Sequence, residues 1–222
     1  MKRTDYFRLA KWLLQRESNR LLRGFGAGLC MDSVLPDCNP LTYLRGIRGR
    51  QGLHGHNAEI TGKRICRLVI SLTKAKKAGV LCGFRLGTAL HYLADAFTHP
   101  HHACFTGSLS DHIAYEASLH RAFISYLADG CHPWPWAHIP DFGTYFADML
   151  RLYARARKSE QTDCRFITLM CSMVFENVLH PVQKEKEGPL ENPDYNRFIP
   201  AGRQRGRDLG AFAGSRIGGA RP

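Results

Sequence analysis

The amino-acid sequence predicts an all-α protein, with a single domain of about six to seven helices arranged around a buried metal cluster. Apolar residues recur at helical spacing in several long segments of the chain. No segment shows the apolar–polar alternation that marks a strand, and no internal repeat is present. Histidines and carboxylates also concentrate in one short central window, where several are spaced to share a helix face.

The length of 222 residues fits one domain with a sizeable core. We place that domain at residues 1–182. From residue 183 onward the chain is polar and rich in Gly, Pro and Arg, with almost no apolar periodicity. We therefore expect residues 183–222 to form a basic, disordered tail.

The first half of the domain is predicted to contain two long helices separated by a turn-rich segment. An amphipathic helix opens the chain, and its apolar stripe is formed by Phe7, Leu9, Ala10, Leu13, Leu14 and Leu21. Segment 24–46 is punctuated by glycine and proline and cannot form one continuous helix, although a short helix over 40–44 remains open. A second amphipathic helix is predicted over 57–77, where lysines near its end suit the helix dipole.

The second half of the domain is predicted to contain helices at 78–98, 108–129, 141–157 and 162–179. In the first of these, Gly83 and Gly87 are spaced so that another helix can approach closely. Ser108 or Ser110 is predicted to cap the start of the next helix, and Asp141 to cap the one after it.

The charge and cysteine content restrict the partners and the compartment. A net charge of +12 and a pI near 9.6 favour anionic partners such as phospholipid headgroups, nucleic acid or other phosphates. The eight cysteines form no CxxC pair, which argues against a zinc ribbon or a thioredoxin-type motif. No apolar run reaches the roughly 20 residues of a membrane span. The first residues do not resemble a signal peptide. We therefore expect a cytoplasmic protein with reduced thiols, with export left open.

The strongest functional signal lies in residues 87–116. His91 and Asp95 form one pair and His112 and Glu116 another; each pair is spaced four residues apart and so shares a helix face. A histidine and a carboxylate on one face can bind the same ion, so two pairs joined by a histidine-bearing loop indicate more than one metal ion. A solvated helix face would explain a single pair. Here both pairs lie among apolar residues, where unpaired ionisable groups are costly.

Two further candidate ligands lie upstream of this window. Asp37 lies between Pro36 and Cys38, where a stiff backbone can aim its side chain inward. His54 and His56 end a glycine-rich loop just before a predicted helix. The alternative for the aspartate is a simple turn or helix cap.

These motifs together resemble a known family. HYLADAFTHPHH followed by DHIAYE resembles the zinc-dependent phospholipase C family of bacterial enzymes, and VLPDCNP and GHNAE resemble its Asp-bearing turn and His-bearing helix start. The resemblance implies one zinc ion held by Asp37, His56, His91 and Asp95. It implies a second zinc ion, at an open set of three ligands typical of catalytic zinc, held by His101, His112 and Glu116. The family's third site needs a histidine early in the first helix, which this chain lacks, so two zinc ions are expected.

Several neighbouring histidines remain as alternatives. His99 or His102 could replace His101 as the loop ligand, and His54 is a similar alternative in the upstream loop. His120 lies one turn beyond the second pair and is predicted to support the ligands from behind.

By the same resemblance, the chain is expected to be a phosphodiester hydrolase that cleaves phospholipid headgroups by attack of a zinc-bound water. Asp37 would accept the proton of that water. A zinc nuclease acting on single-stranded nucleic acid is an alternative, because the net charge suits a polyanion and Trp or Tyr side chains could stack on bases. The other alternative is a non-catalytic zinc-binding helical module that associates with anionic membranes.

Overall fold

The computed structural model describes residues 1–16, 23–38, 58–75, 78–102, 104–130 and 139–180. These residues contain no strand and form the helices α1 (Arg3–Gln15), α2 (Arg23–Asp32), α3 (Leu35–Cys38), α4 (Ala58–Leu72), α5 (Val80–Ala96), α6 (Leu109–Ala128), α7 (Phe142–Arg155) and α8 (Glu160–Leu179). A 3-10 turn over His99–His101 connects α5 to α6. The all-α prediction is therefore confirmed. Among the described helices, none combines the length and the apolar character that crossing a membrane requires.

The glycine-rich start of segment 24–46 forms a helix, α2, although its composition predicts turns. Together with the short α3, it raises the number of helices in the described residues to eight, above the six to seven expected. The reason is packing against α5. A Cβ atom added at Gly28 would lie 2.5 Å from the Val80 carbonyl oxygen, and one added at Gly83 would lie 2.1 Å from that of Phe25. Close contact between the two backbones offsets the roughly 1 kcal/mol that a helical glycine costs.

Both predicted helix caps are confirmed, whereas one predicted helix end is wrong. Ser108 caps α6, and Asp141 caps α7 by accepting hydrogen bonds from two backbone N–H groups. Helix α4 ends at Leu72, so the prediction that it extends to residue 77 is wrong. The backbone there closes in a turn, with the Ala75 N–H donating to the Leu72 carbonyl, and Gly79 then starts α5 in an extended conformation.

Helix α1 buries most of the predicted apolar stripe, with Phe7 as the exception. Leu9, Ala10 and Leu13 are buried as expected, but Phe7 is 43% exposed. Asp5 and Tyr6 are buried on the same face as the leucines. These two polar side chains contact histidines of α6 and α5 respectively.

Helices α5 and α8 form the centre of the core. Nearly every side chain of α5 from Leu86 to Ala96 is buried, which places His91 and Asp95 inside the protein. Phe97 follows directly and packs against aromatic rings of α7 and α8, with ring centroids 5.5 to 6.0 Å apart. Among the described cysteines all are free. Those on α5 and α8 are buried as small apolar groups.

Some predictions fall outside the described residues. They concern Leu21, the short helix over 40–44, His54, His56 and the tail at 183–222.

Candidate metal centre

His91 and Asp95 face each other on α5, and Asp37 approaches them from α3. The His91 Nε2 atom lies 3.4 Å from Asp95 Oδ2 and 3.4 Å from Asp37 Oδ1. His91 and Asp95 are almost completely buried, whereas the Asp37 side chain is 15% exposed. We call these three residues the first ligand group.

The other ring nitrogen of His91, Nδ1, is held by a hydrogen bond to the backbone. Its Nδ1–H donates to the Ser33 carbonyl oxygen at 2.9 Å, which directs the Nε2 lone pair towards the two carboxylates. A hydrogen bond of this kind commonly orients metal-binding histidines. Burial lowers the pKa of His91, but the neighbouring Asp95 and Asp37 carboxylates outweigh it and raise the pKa above its ordinary value. The position between the carboxylates therefore favours a cation, whether a proton or a metal ion.

A second group forms where the turn after α5 meets α6. His101 Nε2 lies 3.3 Å from Glu116 Oε1, and His112 Nε2 lies 3.2 Å from the same oxygen. One ligand atom from each of the three residues falls within a span of 4.8 Å. All three side chains are partly exposed. We call them the second ligand group, and it differs from the first in being open to solvent.

The charge of Glu116 is stabilised by its neighbours. Burial raises its pKa, but hydrogen bonds from His101 and His112 lower it, and the α-amino group of Met1, 2.7 Å from Oε1, lowers it further. The net result is a pKa well below the ordinary value. Glu116 is therefore an anion near neutral pH, as a metal ligand must be.

Asp95 lies between the two groups. Its Oδ2 faces His91, while its Oδ1 lies 3.9 Å from His101 Nδ1 and accepts a hydrogen bond from the Tyr6 hydroxyl. The Tyr6 ring stacks on the His91 ring, with centroids 4.1 Å apart. Burial raises the pKa of Tyr6, and the adjacent Asp95 and Asp37 carboxylates raise it further, so the phenol stays a neutral donor.

Tyr6 and Asp5 also contact this region, although neither is a predicted site residue. The Asp5 carboxylate is buried and accepts a hydrogen bond from His120 Nδ1 at 2.6 Å, which attaches α1 to α6. His120 thus contacts α1 directly, and its support of the ligands stays a prediction. A detectable signal was the position of both residues on the same face as Leu9 and Leu13, since a polar side chain on a buried face needs a partner.

The three loop histidines have different surroundings. His101 is the one that the structure brings to Glu116. The His99 ring packs against aromatic side chains, and the His102 Nε2–H donates to the Ala96 carbonyl at 2.7 Å. Burial lowers the pKa of both these histidines.

The donor set suits zinc. Zinc favours histidine nitrogen and carboxylate oxygen, and the second ligand group supplies two of the former and one of the latter. In the first ligand group a buried imidazole nitrogen faces two carboxylates, so an ion there would balance their charge. The fourth predicted ligand of that site, His56, lies outside the described residues.

Comparison with known proteins identifies the family. The model of the zinc dependent phospholipase C family matches residues 7–175. No curated protein and no solved structure matches the chain. The match begins within α1, ends within α8 and includes both ligand groups. The chain therefore belongs to the zinc-dependent phospholipase C family.

Proposed function

We propose that this protein hydrolyses the headgroup phosphodiester of a phospholipid and uses two zinc ions. The observation that carries the proposal is the second ligand group, whose three ligand atoms lie within 4.8 Å of one another and whose side chains are partly exposed. An open set of three protein ligands leaves a coordination position for water or substrate. A closed site with a purely structural ion would instead be surrounded by protein.

The two ions would be held by different parts of the chain. His101, His112 and Glu116 would hold one, and the other would be held by Asp37, His56, His91 and Asp95. Bound zinc supplies positive charge for the phosphoryl oxygens and makes a coordinated water more acidic. Asp95 lies between the groups and can offer one oxygen to each.

Asp37 is proposed to accept the proton of the attacking water. Of the first ligand group it has the most exposed side chain, at 15%, so it can reach a water molecule at the mouth of the site. The Arg3 guanidinium donates an exposed hydrogen bond to the Asp37 backbone carbonyl oxygen at 3.3 Å.

Exposed apolar side chains near the second ligand group favour a lipid substrate. Leu109 and Ile113, on the turn of α6 that carries His112, are 76% and 60% exposed. Their i, i+4 spacing puts both on one side of the helix next to the histidine. Apolar side chains beside the site suit the acyl or glycerol part of a phospholipid better than a nucleic-acid backbone, which favours basic and stacking groups.

The test combines metal analysis with turnover. Purified protein is analysed by plasma mass spectrometry and assayed on a short-chain phosphatidylcholine, a water-soluble choline phosphodiester and single-stranded DNA. We expect about two zinc ions per chain and hydrolysis of the phospholipid. A His91→Ala/His112→Ala variant should lose both, whereas His180→Ala, a histidine that contacts Glu176 on its own helix, should lose neither.

Three results would contradict the proposal. Full hydrolysis by His112→Ala would refute the site assignment. Absence of bound zinc after zinc is supplied would refute the metal requirement. Cleavage of single-stranded DNA in preference to the phospholipid would favour the nuclease alternative.

A further inference from the structure

Asp163, on α8, is a fully buried carboxylate that accepts three hydrogen bonds outside the two ligand groups. Its Oδ2 accepts from the His99 backbone N–H at 3.0 Å and from the Tyr115 hydroxyl at 2.9 Å. Its Oδ1 accepts from the Tyr153 hydroxyl at 2.6 Å. The three donors come from three different elements: the 3-10 turn, α6 and α7. A buried charge is costly, so each of these partners stabilises the Asp163 carboxylate.

The hydrogen bond to His99 serves the turn that carries His101. The first N–H groups of any helical turn have no acceptor within the turn, and a side chain at the N-cap often supplies one. Here the N-cap residue is Thr98, whose side chain makes no cap bond and donates instead to the Ala94 carbonyl at 3.0 Å. Asp163 therefore provides the missing cap from 64 residues away.

The turn then determines where His101 lies. Its backbone is closed by hydrogen bonds from the His101 N–H to the Thr98 carbonyl at 3.0 Å and from the His102 N–H to the His99 carbonyl at 3.1 Å. This turn directs the His101 side chain towards Glu116, so that His101 Nε2 lies 3.3 Å from Glu116 Oε1.

The other contacts connect the same carboxylate to the rest of the second ligand group. Tyr115 directly precedes Glu116 on α6, so Asp163 contacts both the turn and the helix that supply the ligands. Tyr153 packs on the His102 ring, with centroids 4.9 Å apart, and so supports the end of the turn.

We propose that Asp163 is the positioning residue of the second metal site, because it holds the His99–His101 turn and α6 at the spacing that joins His101 to Glu116. The inference rests on the proposed function for its metal, but the position of the turn can be measured without one. Asp163 acts through the turn and does not touch the ion.

The test compares variants that differ in one hydrogen-bonding group. Asp163→Asn keeps the shape but removes the charge and presents an N–H₂ group where donors converge. Tyr153→Phe keeps Asp163 and removes a single donor. The matched control is Asn177→Ala on the same helix: its Oδ1 accepts the Ile139 backbone N–H at 3.0 Å, remote in sequence from the histidine turn.

The first readout is hydrogen exchange of the metal-free proteins. In Asp163→Asn we expect the amides of His101 and His102 to exchange about tenfold faster or more, since a charge-assisted bond holding the turn is lost. Asn177→Ala should leave these two amides unchanged relative to the rest of the chain. Unchanged exchange in Asp163→Asn, or equal acceleration in both variants, would overturn the proposal.

The second readout is zinc affinity by competition with a chromophoric chelator. We expect Asp163→Asn to bind one ion normally and the other about 10 to 100-fold more weakly, the usual effect of removing a group that orients a ligand. Wild-type affinity for both ions would overturn the positioning role even if thermal stability falls. If the wild type binds no zinc, the proposed function fails, while the exchange data still decide whether Asp163 fixes the turn.

A second variant keeps the test decisive if Asp163→Asn fails to fold. If Asp163→Asn does not fold, Tyr153→Phe is measured in its place. It should show smaller changes in the same direction, and no change would count against the proposal.

Discussion

Replacement of Tyr6 by phenylalanine isolates one hydrogen bond at the centre of the site. The hydroxyl donates to Asp95 Oδ1, and the ring stacks on His91. Tyr6→Phe keeps the ring and removes the donor alone. Asp95 is 1% exposed, so no water replaces the lost donor without rearrangement.

The size of the effect follows from the acceptor. A hydrogen bond to a charged group contributes about 1.5–3 kcal/mol, and the larger figure applies where an acceptor stays buried and unpaired. We therefore expect the unfolding free energy of the metal-free protein to fall by about 2 kcal/mol. Asp95 would also lose the contact that directs its Oδ2 towards His91, so the zinc affinity of the first site should fall about tenfold.

The assay is urea denaturation of metal-free protein, followed by zinc titration against a chelator. Tyr126→Phe is the matched control, because Tyr126 is also buried and its hydroxyl bonds the Thr168 side chain, away from the ligand groups. It should lose stability but retain zinc affinity. The reasoning is refuted if Tyr6→Phe changes neither quantity, or if both variants weaken zinc equally.

Three further predictions test packing, metal binding and titration. Gly83→Ala should destabilise the protein by at least about 2 kcal/mol, because its Cβ would lie 2.1 Å from the Phe25 carbonyl oxygen, whereas Gly79→Ala, with no atom within 4 Å, should cost less than about 1 kcal/mol in urea denaturation. Zinc at 100 times its dissociation constant should raise the unfolding free energy by about 2.7 kcal/mol per site in thermal unfolding, and a chelator should reverse the shift; no shift would contradict binding to the folded state. Burial raises the pKa of Asp163 from 3.8 to about 6, so the folded state holds a proton that the unfolded state has released. Its contribution to the stability of metal-free protein should therefore fall by about 2 kcal/mol as pH rises from about 4 to about 6, and a pH-independent difference between wild type and Asp163→Asn would refute this.

The sequence predicts what depends on neighbours along the chain. Ser108 and Asp111 lie three residues apart and form the cap that starts α6. The i, i+4 spacing of His112 and Glu116 puts their side chains on one face, and the structure brings them within 3.2 Å. Each depends on one helix and its own geometry, so a local pattern is sufficient.

The sequence does not reveal contacts between distant parts of the chain. Tyr6 and Asp95 are 89 residues apart, and His99 and Asp163 are 64 apart. A polar residue on a buried face indicates that it needs a partner, but the local pattern does not identify which distant residue that partner is. The wrong prediction that Phe7 belongs to the buried stripe also arises from contacts between distant residues. The buried face of α1 includes Asp5 and Tyr6, whose partners lie on distant helices, and it leaves Phe7 exposed.

The glycine-rich helices connect the fold to the site. Gly87 precedes His91 by one helical turn on α5, and a Cβ atom added to it would lie 2.6 Å from the Leu29 carbonyl oxygen and 2.8 Å from the Ser33 backbone nitrogen. The absence of that atom lets the end of α2 reach α5, where the Ser33 carbonyl accepts the His91 Nδ1–H. Asp37 follows four residues later and reaches His91 from the other side. The glycine spacing on α5, which predicts a close approach of another helix, is therefore also what allows the first ligand group to form.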